Sequence, residues 1–333
     1  MPIVQTSSGK SFSAADGETL LDAALRAQVT LAYSCRTGRC SSCKSQVTSG
    51  TTQALHDELG LSPAEREAGW ILTCVRSAAS DVCLDIEDLG DVQLAAAKTL
   101  PCRIQSLEHV APYVLKVELR LPPNSVFNYL PGQYIDVIGS GGIRRSYSIA
   151  NAPSAEKHLE LHIKQVPAGA MSDYWFGQAK VNDLLRLNGP LGTFFLRDIE
   201  GKDLVFLATG TGMAPVKAML EGLAQSINSS RGTPRSISVF WGARVPQDLY
   251  WEPALPPLGL AYSPVLSRAD ESWAGARGYV QQALLSPPRD WSRTVVYACG
   301  SDLMIQDARR QLLAAGLGER QFHADAFVCS ASA

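Results

Sequence analysis

Tyr33-Ser34-Cys35-Arg36-Thr37-Gly38-Arg39-Cys40-Ser41-Ser42-Cys43, read together with Cys74 about thirty residues further on, decides the first part of the fold. Its spacing is C-x4-C-x2-C followed by a distant fourth cysteine, the ligand pattern of a [2Fe–2S] cluster. Two irons need four thiolates. Three can come from one tight loop, and the fourth must arrive from elsewhere in the chain. Gly38 sits where a residue without a side chain lets backbone pass close to a cluster and donate N–H groups to its sulfides. Cys35, Cys40, Cys43 and Cys74 are therefore the candidate metal ligands. A zinc site would more usually show two CxxC pairs or nearby histidines, and only one CxxC is present. Cys83, Cys102 and Cys329 stand alone and read as buried or incidental thiols.

The 333 residues leave room for two or three domains, each with its own core. Hydrophobic residues make up 46%, ordinary for a globular protein, and there is no apolar run long enough to span a bilayer. Met1-Pro-Ile-Val lacks the basic start and apolar core of a signal peptide, so a cytoplasmic enzyme is expected, with no membrane association. The eight cysteines are too sparse for a secreted disulfide scaffold, and their clustering favours metal binding. The net charge of −2 is unevenly spread: residues 1–94 carry 7 Lys/Arg against 12 Asp/Glu, the remainder 23 against 20. An acidic front on a mildly basic body argues against nucleic-acid binding and is compatible with docking to a basic partner surface, although ordinary solvated side chains explain the charge equally.

Residues 1–93 read as a small α+β unit. Asp16 to Ala27 opens a helix with Leu20, Leu21, Ala24 and Leu25 on one face. Ser62-Pro63-Ala64-Glu65 is a capping box with proline at the first helical position, and Trp70-Ile-Leu-Thr-Cys74 returns the fourth thiol on a strand or its end. Residues 94–101 have the composition of a linker. In 102–200, Tyr113–Leu121, Gly132–Ile138, Arg144–Ala150 and Leu159–Val166 alternate as short strands between Pro- and Gly-rich turns, which predicts an antiparallel β-barrel of about six strands. One helix, capped by Ser172, is expected to interrupt it. Residues 201–333 change rhythm. Strands at Leu204–Ala208, Ile237–Trp241, Tyr262–Leu266, Thr294–Ala298 and Gln321–Asp325 alternate with helices, notably Met213–Leu223 and Ser301–Ala315, as in a doubly wound parallel α/β sheet.

Three motifs outside the cysteines carry chemistry. Arg145-Ser146-Tyr147-Ser148 places a cation, an aromatic plane and a hydroxyl on one strand. The arginine could take a phosphate of a flavin, the tyrosine could pack on its ring, and Ser148 could hydrogen-bond its reactive edge. Downstream, Pro167-Ala-Gly169-Ala-Met171-Ser172 precedes a helix, and helix N-termini suit a pyrophosphate. Ala208-Thr-Gly210-Thr211-Gly212-Met-Ala-Pro215 joins a strand to a helix, where glycines let backbone approach a diphosphate at the carboxyl edge of a parallel sheet. Tyr297-Ala-Cys299-Gly300 ends a later strand of the same sheet and would lie beside the glycine loop. A plain core thiol remains an alternative for Cys299.

With these residues in hand, the chain resembles a known family throughout its length. The head resembles a plant-type [2Fe–2S] ferredoxin of β-grasp fold. The tail from residue 103 is similar to the ferredoxin–NADP reductase superfamily, with an antiparallel flavin barrel carrying RxYS and a nicotinamide domain carrying GTGxAP and a late Cys-Gly. The order matches reductase components of bacterial aromatic-ring dioxygenases and related hydroxylases, which Gly242-Ala-Arg244 and Gln247-Asp-Leu-Tyr250 resemble. It also matches the CDP-6-deoxy-glucoseen reductases of 3,6-dideoxysugar synthesis, to which Arg144–Pro153 and Asp325-Ala-Phe327-Val are close. The resemblance implies FAD at Arg145, Tyr147 and Ser148, with Gly169, Met171 and Ser172 around its pyrophosphate. It implies a nicotinamide nucleotide at Gly210, Thr211, Gly212, Cys299 and Gly300, and an aromatic near the flavin at Phe327. Ser41 replaces a glycine common in the cluster loop, and Cys329 stands where close relatives often have proline.

A flavin is required between nicotinamide and cluster because one gives electrons in pairs and the other accepts them singly. The expected reaction is hydride transfer from NADH to flavin N5, then single-electron steps through the cluster to an external acceptor, with Ser148 and Cys299 aligning the reacting rings. The expected partner is a terminal oxygenase; the alternative is a dehydrase of the deoxysugar pathway. A redox-sensing regulatory protein is the reading from a different class. Arg244, at the end of the second nucleotide-domain strand, could meet the adenosine ribose or a 2′-phosphate, so NADPH stays open beside NADH.

Overall fold

The computed structural model describes every residue except 88, 91, 227–231 and 328–333, and Cys329 therefore lies outside the described residues. The chain forms two compact units. The first comprises residues 1–94 with Gly192–Phe194 and the chain from Asp325; the second comprises Ala95–Leu191 and Phe195–Ala324.

In the first unit, β1 (Ile3–Thr6) and β2 (Ser11–Ser13) form a hairpin, followed by α1 (Leu20–Arg26), β3 (Lys44–Ser49), β4 (Thr52–Ala54), α2 (Pro63–Glu67), β5 (Trp70–Leu72), β6 (Arg76–Ala78) and β7 (Val82–Asp85). The main sheet has the order β2-β1-β7-β3-β5, with β1 and β7 parallel and the other pairs antiparallel. Thr19 caps α1 by accepting from the Asp22 amide, and the helix buries Leu20, Leu21, Ala23 and Ala24. Leu25 is only partly covered, so the buried stripe is centred on the alanines more than the sequence suggests. The capping box at Ser62 and Glu65 is present as expected.

The second unit opens with β8 (Lys98–Ala111), β9 (Val114–Arg120), β10 (Tyr134–Ile138), β11 (Arg144–Ser148), β12 (His158–Lys164), the short α3 (Ala170–Asp173) and β13 (Leu184–Leu191). Their order is β11-β10-β13-β8-β9-β12, with each neighbouring pair antiparallel, and an Ile149–Leu161 bridge joins the two ends into the expected six-stranded barrel. Residues 98–101 belong to β8 and not to a linker. Pro101 argues against a strand in the sequence, but it pairs only with Arg186, and β9 joins the other side of β8 from Arg103 onward. A proline without an N–H is tolerated at such a one-sided position.

The same unit continues with β14 (Asp203–Thr209), α4 (Met213–Ser226), β15 (Ser236–Ala243), β16 (Ala261–Leu266), β17 (Ala276–Arg277), α5 (Val280–Leu285), β18 (Thr294–Ser301), α6 (Asp302–Ala314) and β19 (Phe322–Phe327). The sheet order is β17-β16-β15-β14-β18-β19, and β14 through β18 pair in parallel. The chain winds outward from β14 to β17, then returns to β18 on the other side of β14. That reversal opens a crevice at the carboxyl ends of β14 and β18, the general ligand position of such sheets. β14 is buried along its length, from Asp203 to Ala208, as a strand covered on both faces must be.

Candidate functional site

The cysteine loop joins α1 to β3 on backbone that three residues hold in the left-handed region: Arg36 (φ 58°), Gly38 (φ 72°) and Ser41 (φ 60°). A Cβ on Gly38 would stand 2.4 Å from the Asp57 carbonyl oxygen, so the loop closes only with glycine there. Ser41 carries a Cβ in a conformation that costs about 1 kcal/mol or more, the physical reason glycine is common at this place. Its Oγ donates to the Gly60 carbonyl at 2.5 Å and offsets part of that cost.

The four thiols gather as two pairs, Cys35 with Cys40 and Cys43 with Cys74. A hydrogen bond from Cys40 holds the Cys35 thiol down to about 5, and one from Cys43 lowers Cys74. Giving those hydrogen bonds, together with burial, pushes Cys40 and Cys43 up. Backbone amides of Cys35 and Thr37 donate to Cys40 Sγ and Cys35 Sγ, each at 3.4 Å. Among the described residues, no three His, Cys, Asp or Glu side chains form a single-ion site. Two dithiol pairs with amides aimed at sulfur suit two irons with two thiolates each, and do not suit a lone tetrahedral zinc.

Cys74 rides on the turn Thr73–Val75 after β5, at the strand end where the sequence put it. Thr73 donates to the Cys43 carbonyl through both its amide (3.2 Å) and its hydroxyl (3.3 Å). Buried Glu58 fixes the turn from the other side: Oε1 accepts from the Leu72 amide at 2.7 Å, and Oε2 accepts from Arg76 Nε and Nη2 at 3.0 and 2.9 Å. Sequence reading missed Glu58, since nothing in its neighbourhood announces that its partners lie beyond α2.

On β11, Arg145 and Tyr147 are half-buried on one face, Arg144 and Ser146 are exposed, and Ser148 is buried at the strand end. Trp175 Nε1 donates to Tyr147 Oη at 3.0 Å and meets the ring edge-on, while burial pushes the phenol up to about 12. Trp175 follows α3, so this contact brings Arg145, Tyr147 and Ser148 together with the segment of Gly169, Met171 and Ser172. Ser172 does not cap the helix. Gly169 is the N-cap, and Ser172, inside α3, accepts from the Val166 amide through Oγ at 2.8 Å, tying down the preceding loop.

At the crevice, a Cβ on Gly212 would lie 2.2 Å from the Cys299 carbonyl oxygen, and one on Gly300 would lie 2.2 Å from Thr209 Oγ1. The glycine loop and the Cys-Gly turn are therefore in direct backbone contact, as expected. Gly210 is left-handed (φ 54°), and the nearest atom to its missing Cβ is Lys164 Nζ at 4.0 Å. Thr211 and Cys299 are buried. Lys164, a cation at the end of β12 beside the loop, was missed because its strand is remote in sequence. Arg244 is exposed just past β15, and its carbonyl accepts from the Arg268 amide at 2.9 Å. Phe327 ends β19 and is exposed. Of the isolated thiols, Cys102 is buried in β8 and pushed up to about 12 by that burial, and Cys83 is half-buried in β7.

Residues 3–79 match the 2Fe-2S iron-sulfur cluster binding domain family, residues 101–196 the oxidoreductase FAD-binding domain and residues 206–310 the oxidoreductase NAD-binding domain. The chain is 41% identical over 327 residues, 97% of each protein, to the CDP-6-deoxy-L-threo-D-glycero-4-hexulose-3-dehydrase reductase of Yersinia pseudotuberculosis. It belongs to the iron–sulfur flavoprotein reductases. It is also 33% identical over 333 residues to reductase component 1 of the terephthalate 1,2-dioxygenase of a Comamonas species, covering 96% of this chain and 95% of that one. The crystal structure of the Amycolatopsis cytochrome P450 reductase GcoB superposes with a TM-score of 0.75 at 27% identity, over 98% of this chain and 99% of that one.

As a member of this family the protein is an oxidoreductase whose domains bind a [2Fe–2S] cluster, FAD and a nicotinamide nucleotide. The geometry fits those groups independently. Two thiol pairs receive amide hydrogen bonds, a half-buried aromatic stands on the barrel strand, and a glycine loop abuts the Cys-Gly turn at the crevice. No described helix of the reductase is long and apolar enough to cross a membrane.

Proposed function

We infer that this reductase oxidises NADH and hands the electrons to a separate partner protein. Bound FAD takes electrons in pairs from a nicotinamide and gives them up singly, and a [2Fe–2S] cluster accepts one at a time, which is why three stations occur in one chain. Cys35, Cys40, Cys43 and Cys74 would hold the cluster. Arg145 would take a flavin phosphate, Tyr147 would pack on the ring, and Ser148, held at the strand end, would orient its reactive edge. Gly169, Met171 and Ser172 would surround the pyrophosphate, with Phe327 beside the flavin. Gly210, Thr211 and Gly212 would seat the nicotinamide nucleotide against Cys299 and Gly300, and Arg244 would meet its adenosine ribose. The working modules are residues 1–93, the barrel from the start of β8 to residue 200, and residues 201–333.

The observation that carries this reading is the pairing of the four thiols on a loop whose amides point at sulfur. The experiment is steady-state NADH oxidation by the cofactor-loaded protein, with cytochrome c and ferricyanide as acceptors. Turnover with both supports the reading, and no turnover despite full loading contradicts it. Equal or better kcat/KM with NADPH would overturn the coenzyme preference and give Arg244 a 2′-phosphate.

A terminal oxygenase as partner is supported by the likeness to the terephthalate dioxygenase reductase. A dehydrase is supported by the higher identity to the hexulose-3-dehydrase reductase, 41% against 33%. Mixing the reductase with a purified oxygenase or dehydrase encoded beside it, and following NADH-driven product formation, distinguishes the two.

A further inference from the structure

α4 begins at the glycine loop and is apolar where it is buried, apart from one cation. Lys217 is 8% exposed, among Val216, Ala218, Met219 and Leu220. Its Nζ donates to the Ala150 carbonyl at 3.1 Å and pairs with Glu160 at 3.2 Å and Glu221 at 2.6 Å. Glu221 in turn accepts from the Ala152 amide at 2.9 Å. The segment 150–152 continues β11 directly beyond Ser148. Helix α4 therefore grips the extension of the flavin strand at both a carbonyl and an amide.

A second arm leads from Glu160 back to the loop. His162 Nε2 lies 2.7 Å from Glu160 Oε1, and Tyr250 Oη lies 3.1 Å from His162 Nδ1. Tyr250 meets Trp241 edge-on at 5.0 Å, and Trp241 Nε1 donates to the Gly210 carbonyl at 3.0 Å. Burial keeps His162 below its ordinary value and therefore neutral, so its Nε2–H donates to Glu160 and Nδ1 accepts from the tyrosine. Burial alone would raise Glu160, yet the His162 hydrogen bond and the Lys217 charge hold it down to about 2.

Both ends of the glycine loop are thus tied to one buried carboxylate, through α4 on one side and Trp241 on the other. Burying ions in this way is a poor device for stability, because desolvation consumes the attraction and apolar residues of similar volume do as well or better. Fixing register is the best-attested use of such groups. We propose that Glu160, Lys217 and Tyr250 are positioning residues that hold the nicotinamide-binding loop in register with the flavin strand at Ser148. The inference rests on the reductase reading above.

The test uses the loaded holoprotein and the triple variant Glu160→Gln, Lys217→Met, Glu221→Gln, which removes the ions without leaving one unpaired. At saturating NADH, single-turnover flavin bleaching is expected to slow about tenfold or more, since small misplacements of reacting groups cost that much. FAD and iron content should be retained, and amide exchange at residues 150–152 and 209–213 should quicken. Unchanged bleaching and unchanged exchange overturn the proposal. Where the triple variant does not load FAD, Tyr250→Phe decides: it removes only the hydroxyl link, and either slower bleaching at unchanged KM supports the proposal or unchanged bleaching overturns it. Wild-type protein that NADH does not bleach at all refutes the reductase reading itself, so the two failures are distinguishable.

Discussion

The cysteine loop and the nucleotide crevice hold their groups by opposite means. In the loop, three of four thiols come from one short stretch, and the binding geometry is set by local backbone: left-handed residues at 36, 38 and 41, and a glycine that nothing else can replace. In the crevice, Gly212 follows β14 while Cys299 lies on β18, far along the sequence, and they meet only because β14 and β18 are neighbours in a parallel sheet. A local site should fail when one ligand is lost and leave the other site working. A topological site should fail when the packing between its elements is disturbed.

Cys40→Ser breaks the local site and is expected to have the largest effect. Cytochrome c reduction should fall to background while ferricyanide reduction persists; if both persist, the cluster is off the electron path. Gly212→Ala attacks the other site, because its Cβ would fall 2.2 Å from the Cys299 carbonyl. NADH-dependent reduction of both acceptors should drop about a hundredfold through displaced backbone, with FAD and iron content retained. Unchanged kinetics would mean that the loop and the Cys-Gly turn need not touch.

Glu58→Gln sharpens the comparison within the cluster unit. It removes the charge that Arg76 and the Leu72 amide share, and the expected loss is about 1–3 kcal/mol. It would be read as an earlier thermal loss of the cluster's visible absorbance, with the flavin signal unaffected. Ser41→Gly should do least. Relief of left-handed strain, about 1 kcal/mol, is set against the lost hydroxyl bond to Gly60, about 1 kcal/mol, so the denaturation midpoint should hardly move. A large change either way would show that one of these terms has been misjudged.

The same contrast explains what was legible. The thiol ligands, the six-stranded barrel and the parallel sheet follow from spacing, alternation and turn chemistry that a sequence displays directly. The glycine loop and Cys299 could be placed at one edge because strand order follows from strand–helix alternation. The partners of buried polar groups could not. Glu58 reaches Arg76 across α2, and Glu160 meets Lys217 between a barrel strand and a helix of the nucleotide sheet. The only signals were Glu160 and His162 alternating with Leu159, Leu161 and Ile163 in a barrel strand, and Lys217 in an apolar helix. Residues 94–101 read as a linker from their composition, whereas β8 begins at Lys98 and up to Pro101 is paired on one side only, with β13.

Anaerobic titration of the intact, loaded protein with NADH, following flavin absorbance and the electron paramagnetic resonance of the cluster in the same sample, tests the central claim most directly. The account predicts that NADH bleaches the flavin and produces the signal of a reduced [2Fe–2S] cluster in the wild type, and that neither appears at comparable rate in Gly212→Ala. Flavin bleaching with a cluster that stays oxidised in the wild type would contradict it.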